Sequence, residues 1–303
     1  MRKGQPIVAV VGATASGKTE LSLDLAQRLG AEIINTDAMQ VYRGMDIGTA
    51  KLPAADRRGV PHHLLDTLSV RDPATVAEFQ GWARAIIDAG TTPLVLVGGS
   101  ALYTRAILDR FDFPGTDESV RSALEEELAE QGSGALHERL ALLDPEAAAT
   151  ILPSNGRRIV RALEVITLTG QKFSASLPKL EYHYADAHQV GVRIDRILLE
   201  ERINRRVDLM FEAGFVDEVE RLLAEGLAEG RTAPRAIGYR EVAEHLAGKL
   251  TLDEARERTQ QATRRFARRQ DSWFHKDPRI TWVDWDDPQR VEKALAAVGH
   301  STP

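Results

Sequence analysis

The sequence predicts an α/β protein, with a parallel sheet flanked by helices and an inserted all-helical subdomain. The apolar, β-branched run Ile7–Val11 ends at a glycine and precedes a helical pattern over residues 19–29, which indicates a buried strand, a tight loop and a helix. Further strands are predicted at residues 31–36 and 94–97, with a helical pattern at 76–89 between them. This alternation is typical of a parallel sheet covered on both faces.

A block of helical patterns without strands follows Pro114, at residues 119–131, 135–143, 145–151 and 157–169. The strand pattern returns at residues 189–194, and residues 198–225 read as one long amphipathic helical region. We therefore expect a catalytic core made of residues 1–114 and 189–303, with residues 115–188 inserted as a helical domain.

The composition excludes several classes of protein and site. The 303 residues are 43% hydrophobic and 28% charged, as in a folded globular protein, and contain no cysteine. Disulfides, thiolate nucleophiles and cysteine-bound zinc are thereby excluded, so any metal must bind oxygen or histidine. No apolar stretch reaches the length of a membrane helix, and no signal peptide is evident at the N-terminus. These features predict a cytoplasmic protein.

A P-loop pattern occupies the first predicted strand–helix junction, where it comprises Gly12, Ala13, Thr14, Ala15, Ser16, Gly17, Lys18 and Thr19. Its backbone N–H groups and the positive end of the helix dipole form a cradle for a polyphosphate. Lys18 adds positive charge, and the Thr19 hydroxyl is a candidate Mg²⁺ ligand. The motif predicts a P-loop NTPase-like core, but it leaves open which bond is broken.

Two further groups lie at the predicted carboxyl ends of strands, where open α/β sheets bind ligands. Asp37 follows the second strand, where a carboxylate can act as a general base or hold Mg²⁺ through water. The alternative is an aspartate that stabilises a turn. Gly98, Gly99 and Ser100 follow the third strand; they either present N–H groups and a hydroxyl to a ligand, or form a strand–helix turn with Ser100 as N-cap.

Arginines are concentrated in two predicted helices although the net charge is −6. Helical spacing places Arg264, Arg265 and Arg268 on one face, and predicts an opposite, buried aromatic seam of Ala262, Phe266, Arg269 and Trp273. Basic residues interleaved with aromatic ones suit an RNA backbone and unstacked bases, whereas the alternative is a solvated face. A second basic cluster, at Arg157, Arg158 and Arg161, favours RNA.

Several sequence strings together resemble the tRNA dimethylallyltransferases, also called isopentenyl-tRNA transferases. They are GATASGKT at Gly12, TDAMQVYRGMDIGTAK from Thr36, LVGGSALY from Leu96, RALEV from Arg161, RAIGYREV from Arg235 and RRFARRQDSWF from Arg264. The strings occur in the family's order and extend over residues 7–274. The family transfers a dimethylallyl group from its diphosphate to the exocyclic amine of the adenine just 3′ of a tRNA anticodon.

The resemblance implies functions for the matched residues. The P-loop and Arg206 would bind the diphosphate of dimethylallyl diphosphate together with Mg²⁺, Asp37 would accept a proton from the amine, and Ser100 would contact substrate in place of a usual threonine. The implied tRNA contacts are Asp37, Ala38, Met39, Gln40, Ser100, Arg121, Arg157, Arg158, Arg161, Arg235, Gly238, Tyr239, Arg240, Arg268, Arg269, Gln270 and Trp273. The helical insertion would then clamp the anticodon stem-loop of tRNA, and the protein would act as a monomer without a membrane partner.

Three positions depart from the family pattern. Ala38 stands where many members have serine, Asn155 and Gly156 precede Arg158 where an aspartate is common, and His275 replaces a frequent arginine. Ala38 removes one possible hydrogen bond to the substrate. An adenylate isopentenyltransferase, a P-loop small-molecule kinase and a nucleotide-switched RNA-binding protein are the alternative functions.

Overall fold

A computed structural model describes residues 5–111, 113–174 and 180–299 of the chain. Its six strands are β1 (Ile7–Val11), β2 (Glu32–Asn35), β3 (His62–His63), β4 (Leu94–Val97), β5 (Ala187–Arg193) and β6 (Ile280–Asp284). They form one sheet in the order β3-β2-β4-β1-β5-β6, and every pairing is parallel. The predicted α/β fold class is confirmed.

Helices connect and cover these strands. They are α1 (Lys18–Leu29), α2 (Val76–Ala89), α3 (Ala101–Leu108), α4 (Glu118–Leu143), α5 (Pro145–Thr150), α6 (Gly156–Thr169), α7 (Arg196–Glu212), α8 (Phe215–Ala224), α9 (Tyr239–Leu246), α10 (Leu252–Phe274) and α11 (Arg290–Ala297). In the ranges that the structure describes, no helix is long and apolar enough to cross a membrane.

The central strand β1 shows why the sheet is covered on both faces. Successive side chains of a strand point to opposite faces, so Ile7, Ala9 and Val11 pack into one hydrophobic core and Val8 and Val10 into a second. Because both faces are buried, the strand sequence is continuously apolar rather than alternating.

The chain forms two compact units. The first is built from the described parts of Met1–Leu108 and Tyr182–Pro303, and the second from those of Asp109–Glu181. Residues 182–186, which precede β5, belong to the first unit. There the Tyr184 hydroxyl lies 3.2 Å from Asp88 Oδ1. The second unit contains α4, α5 and α6, whose core includes Leu124, Leu136, Leu140, Ile159 and Leu163.

The structure corrects two details of the helix prediction. The region 198–225 is not continuous, because Gly214 lies between α7 and α8 with φ of +95° and ends the helical path. The predicted aromatic seam of α10 is also wrong. The buried residues of this helix are Ala255, Thr259, Ala267, Gln270 and Phe274, whereas Trp273 is 52% exposed.

Candidate active site

The P-loop lies between β1 and α1, as the sequence predicts. Its glycines adopt conformations that side chains disfavour, with φ of +139° at Gly12 and +100° at Gly17. A Cβ at Gly12 would also approach the Val192 carbonyl oxygen to 2.9 Å. The Ser16 hydroxyl is buried and has no hydrogen-bond partner within the described part of the chain. A buried polar group of this kind indicates a ligand or water in the loop.

A cavity of about 260 Å³ opens beside this loop, at the carboxyl edge of the sheet. Its lining comes from the P-loop, the ends of β2 and β4, the segment after Asp37, and helices α7 and α10. The predicted residues that line it are Thr14, Ala15, Gly17, Lys18, Thr19, Asp37, Gln40, Gly98, Gly99, Arg206 and Gln270. The edge is therefore the ligand site expected for a parallel α/β sheet.

Lys18 supplies a cation whose charge is sensitive to its surroundings. Its Nζ donates a 2.6 Å hydrogen bond to the carbonyl oxygen of Ala13. Burial, together with repulsion from Arg206, lowers the pKa of Lys18 to about 7, although Asp37 opposes the shift. An anion beside the ammonium would restore its preference for the charged form.

Arg206 brings a second cation from α7 to the same loop. Its Nη1 lies 3.4 Å from the Thr14 hydroxyl oxygen. Burial and the neighbouring Arg202 lower the pKa of Arg206, but a guanidinium remains charged near neutral pH. Two cations and the loop N–H groups therefore converge on one wall of the cavity, which is the arrangement that a polyphosphate requires.

Asp37 lines the same cavity, directly after β2. Its Oδ1 accepts a 2.9 Å hydrogen bond from the Met39 N–H. Burial raises the pKa of Asp37, while that hydrogen bond and Lys18 oppose the shift. A carboxylate with a raised pKa is a better proton acceptor than a solvated one. The geometry thus places a candidate base in the same cavity as the phosphate cradle.

Asn35 fixes the backbone of Asp37, and the sequence analysis missed it. Its Oδ1 accepts a 2.9 Å hydrogen bond from the Asp37 N–H, and its Nδ2 donates to the carbonyl oxygens of Asp37 and Leu64 at 3.0 and 3.1 Å. A polar side chain at the end of an otherwise apolar strand was the available signal.

The Gly98–Gly99 turn is required by close packing. A Cβ at Gly98 would lie 2.2 Å from the Thr36 hydroxyl oxygen, and one at Gly99 would lie 2.1 Å from Gln270 Nε2. Ser100 follows, directly before α3, and its carbonyl oxygen accepts a 3.0 Å hydrogen bond from the Thr104 N–H. Ser100 is outside the set of residues that lines the cavity, so its predicted substrate contact stays a prediction.

Glu218 fixes another wall of the cavity and was also missed by the sequence analysis. This carboxylate is 6% exposed and accepts hydrogen bonds from the N–H groups of Asp46 (3.1 Å), Ile47 (2.7 Å) and Gly48 (3.1 Å) and from the Tyr239 hydroxyl (2.6 Å). The loop leads directly into Thr49 and Ala50, which line the cavity. The Thr49 carbonyl in turn accepts a 3.1 Å hydrogen bond from Gln40 Nε2.

The prediction that Gly238 and Tyr239 contact tRNA is wrong in this structure. Tyr239 is 1% exposed and packs edge-to-face on Phe215, and its hydroxyl is bonded to Glu218. Gly238 is buried, with φ of +90° and Phe215 directly beside it. Both residues stabilise the interior, whereas the adjacent Arg235 and Arg240 are exposed. Arg240 pairs with Glu241 at 2.6 Å.

In the helical unit, the arginines that are predicted to contact tRNA divide into two groups. Arg121 and Arg161 both pair with the fully buried Glu164, at 2.6 and 2.7 Å. The Arg121 pair joins α4 to α6, whereas Arg161 lies on α6 with Glu164 and also donates to the carbonyl oxygens of Pro114 and Gly115. Arg157 and Arg158 are exposed at the start of α6. Among the residues that the structure describes, neither forms an ion pair, so both guanidiniums are available for the predicted contact with RNA.

Helix α10 presents basic and aromatic side chains on its exposed face. Arg265, Arg268, Arg269, Ser272 and Trp273 line an open depression there. Arg268 lies 3.3 Å from Glu200, and Lys276 lies over the Trp273 ring. This surface combines the cations and the exposed ring that suit single-stranded RNA.

Comparison with known proteins places this site in a family. A family model described as IPP transferase matches residues 40–277, well over half of the chain. The chain belongs to the IPP transferase family. The resemblance that the sequence motifs indicated is confirmed.

Relatives extend the similarity across the P-loop. The tRNA dimethylallyltransferase of Nocardioides sp. is 72% identical over 297 residues, covering 97% of this chain and 96% of that protein. The protein of the same name from Streptomyces coelicolor is 59% identical over 290 residues, covering 94% and 92% of the two chains.

Solved structures show the same fold. A full-length tRNA isopentenylpyrophosphate transferase from Bacillus halodurans is 40% identical with a TM-score of 0.72, over 98% of this chain and 97% of that one. A eukaryotic dimethylallyltransferase described as acting on tRNA is 25% identical with a TM-score of 0.82, over 97% of this chain and 77% of that one.

Proposed function

We propose that this protein is a tRNA dimethylallyltransferase. It would transfer the dimethylallyl group of dimethylallyl diphosphate to the exocyclic amine of the adenosine at tRNA position 37, next to the anticodon, and release diphosphate. The observation that carries this proposal is the pairing, in one cavity, of a cationic P-loop with the buried carboxylate of Asp37. The names of its relatives support the same reaction.

The P-loop side of the cavity stabilises the leaving group. In the reaction, a bond forms between the adenine nitrogen and the first prenyl carbon while the carbon–oxygen bond to diphosphate breaks. The electron pair of the broken bond goes to the diphosphate. Lys18, Arg206 and loop residues with backbone N–H groups line this part of the cavity, so they would stabilise the developing charge.

Asp37 receives the proton that the amine must lose. The exocyclic amine is a weak nucleophile because its lone pair is delocalised into the ring, and it becomes cationic as it attacks. Asn35 holds the backbone of Asp37, and the Met39 N–H holds its carboxylate. The raised pKa of Asp37 favours proton acceptance. Because chemistry on a stacked base requires its extrusion, the adenine would enter the cavity flipped out of the anticodon loop.

The cavity suits Mg²⁺ held mainly by substrate oxygen atoms. Among the described residues, no three His, Asp or Glu side chains converge as a ready metal site. The Thr19 hydroxyl and the Asp37 carboxylate nevertheless line the cavity, and these are the oxygen donors that Mg²⁺ prefers, completed by phosphate and water. When bound, the ion would neutralise charge on the diphosphate.

We assign tRNA binding to the exposed face of α10 and, within the helical unit, to Arg157 and Arg158 as part of a clamp on the anticodon stem-loop. Arg235 and Arg240 are further exposed cations near α9. We further propose that the protein acts as a monomer. A cytoplasmic location fits a tRNA substrate.

A prenyl-transfer assay tests the proposed function. Purified protein is incubated with labelled dimethylallyl diphosphate and Mg²⁺, and either unmodified tRNA or AMP is added as acceptor. We expect label in tRNA with adenine at position 37 and none in AMP or in tRNA carrying guanine there. Label in AMP alone indicates an adenylate isopentenyltransferase, and phosphoryl transfer from ATP without prenylation indicates a kinase. tRNA binding without either reaction indicates an RNA-binding protein.

The arginines of α10 give a prediction about RNA affinity. Replacing Arg265 and Arg268 by alanine is expected to weaken tRNA binding about 10-fold at low salt and to reduce the slope of log Kd against log salt by roughly 1.5–2, because two phosphate contacts are lost. Filter binding at several salt concentrations measures both effects. A double variant with Arg28→Ala and Arg193→Ala removes the same charge from ion pairs elsewhere and should match the wild type. Equal salt slopes in the wild type and in both double variants would indicate that the arginine face of α10 is solvated and does not contact tRNA.

The lowered pKa of Lys18 predicts that diphosphate binding depends on pH. In the free protein the ammonium is lost as the pH rises through about 7, whereas the bound diphosphate requires the charged form. The affinity for dimethylallyl diphosphate should therefore fall by up to about 10-fold per pH unit above pH 7.5, with uptake of one proton on binding. Calorimetry in buffers of different ionisation enthalpy measures that uptake. A Lys18→Met variant should bind weakly at every pH, and a wild type with constant affinity from pH 7 to 9 would contradict the prediction.

A further inference from the structure

Gln270 connects the P-loop to the Gly99 turn through both ends of its side-chain amide. Its Oε1 accepts a 2.8 Å hydrogen bond from the Thr14 N–H, and its Nε2 donates a 2.8 Å hydrogen bond to the Gly99 carbonyl oxygen. The residue is 5% exposed, yet it lies on the wall of the cavity. The amide therefore has a fixed orientation. If it rotated away, the Thr14 N–H or the Gly99 carbonyl would lose its hydrogen-bond partner.

The packing around Gln270 depends on a glycine at position 99. A Cβ at position 99 would lie 2.1 Å from Nε2, so the glycine provides the space that the amide occupies. Gln270 also lies four residues after Phe266 on α10, and both line the cavity. Beside the P-loop, the cavity wall thus consists of an aromatic ring and an amide that is already hydrogen-bonded.

The hydrogen bond from Thr14 removes one N–H group from the phosphate cradle. P-loops bind phosphates with successive backbone N–H groups, and those near the start of the helix hold the first two phosphates. Thr14 is the first loop residue on the cavity wall, four positions before Lys18, so its N–H lies farther from the helix start than the N–H groups that hold the first two phosphates. In this structure that N–H is bonded to Gln270 Oε1.

A third phosphate at this position would be disfavoured for two reasons. It would meet the Gln270 carbonyl oxygen, which is a hydrogen-bond acceptor and repels phosphate oxygens. Displacing the side chain would instead leave the buried Gly99 carbonyl without its donor, which lowers affinity by about 10- to 100-fold. An uncharged prenyl chain carries no such penalty and gains contact with Phe266.

We infer that Gln270 is a specificity-determining residue that restricts the P-loop to diphosphates and excludes nucleoside triphosphates. The inference rests on the proposed function for the identity of the diphosphate substrate. It explains why a loop of the nucleotide-binding type would not be occupied by ATP or GTP, whose phosphate chains are one unit longer.

Calorimetric titration of the full chain with inorganic pyrophosphate and with inorganic triphosphate, both with Mg²⁺, tests the inference. The wild type is expected to bind pyrophosphate at least about 10-fold more tightly, although triphosphate carries more charge. In Gln270→Ala the Thr14 N–H is free and the side chain is gone, so the preference should shrink to threefold or less. Gln261→Ala, an exposed glutamine on the same helix, should keep the wild-type ratio.

A second variant tests the inference if circular dichroism shows that the Gln270→Ala protein does not fold. In Gln270→Asn the amide is one methylene shorter and cannot reach both partners, so the same loss of selectivity is expected. Equal affinities of the wild type for the two anions, or an unchanged ratio in the folded variants, overturns the inference. A wild type that shows the selectivity but transfers no prenyl group to tRNA contradicts the proposed function and leaves the role of Gln270 intact.

Discussion

Replacing Asp37 by asparagine is expected to lower the turnover number for prenyl transfer to tRNA by ~10²–10⁴-fold, the range typical of a lost general base. Asparagine keeps the oxygen that accepts the Met39 N–H hydrogen bond, so the turn after β2 should persist. It cannot, however, take the proton from the attacking amine. We therefore expect the Kd for tRNA and for dimethylallyl diphosphate to change by no more than about threefold. Single-turnover kinetics and binding titrations separate the two quantities.

The matched control for this experiment is Asp286→Asn, which neutralises an exposed carboxylate outside the cavity. It should leave both turnover and binding unchanged. If Asp37→Asn turns over within about threefold of the wild type, Asp37 is not the base. If the variant instead fails to bind tRNA, its carboxylate contributes to substrate binding and the proposed division of functions is wrong.

Replacing Glu218 by alanine is expected to give the largest loss of stability among the site residues. The change leaves three backbone N–H groups and the buried Tyr239 hydroxyl without their acceptor. Unpaired buried donors cost about 1–3 kcal/mol each, although water that enters the space offsets part of the loss. We therefore expect the free energy of unfolding to fall by about 3–5 kcal/mol and the Tm to fall by roughly 6–12 °C, as measured by circular dichroism.

Two further variants define the contribution of Glu218. Tyr239→Phe removes one of the four donors to Glu218 and should lower the free energy of unfolding by about 1 kcal/mol. Glu220→Ala changes an exposed glutamate on α8, the helix of Glu218, and should leave the Tm unchanged. Because the loop that Glu218 holds leads to Thr49 and its bond with Gln40, the folded Tyr239→Phe protein should lose turnover more than diphosphate affinity. A Glu218→Ala protein with wild-type Tm would show that the loop 46–48 is held by other contacts.

The sequence predicted those parts of the site that depend on short-range order. The P-loop was predictable because a strand, a loop with glycines in unusual conformations and a helix follow one another within a few residues. The position of Asp37 was predictable because parallel strands end at one edge of the sheet. The DIGTAK and IGYRE strings indicated the family directly. They did not reveal that Tyr239 lies inside the protein.

The contacts that orient the site join residues far apart in the chain. Thr14 and Gln270 are 256 positions apart, and Asp46 and Glu218 are 172 apart. Neither glutamine nor glutamate carries a local signal of such a partner. The orientation of α10 was also unpredictable, because arginines surround several small residues and more than one face can be buried. The structure selects the face with Ala267 and Gln270.

The sequence by itself therefore determined the α/β class, the phosphate-binding loop and a carboxylate at the sheet edge. Local backbone conformation and the periodicity of apolar residues are sufficient for these features. Only the tertiary structure decided that Asn35 and Glu218 hold the cavity walls, and that Gln270 occupies one N–H of the cradle. These features depend on how distant helices pack against the sheet, where buried polar groups must find their hydrogen-bond partners.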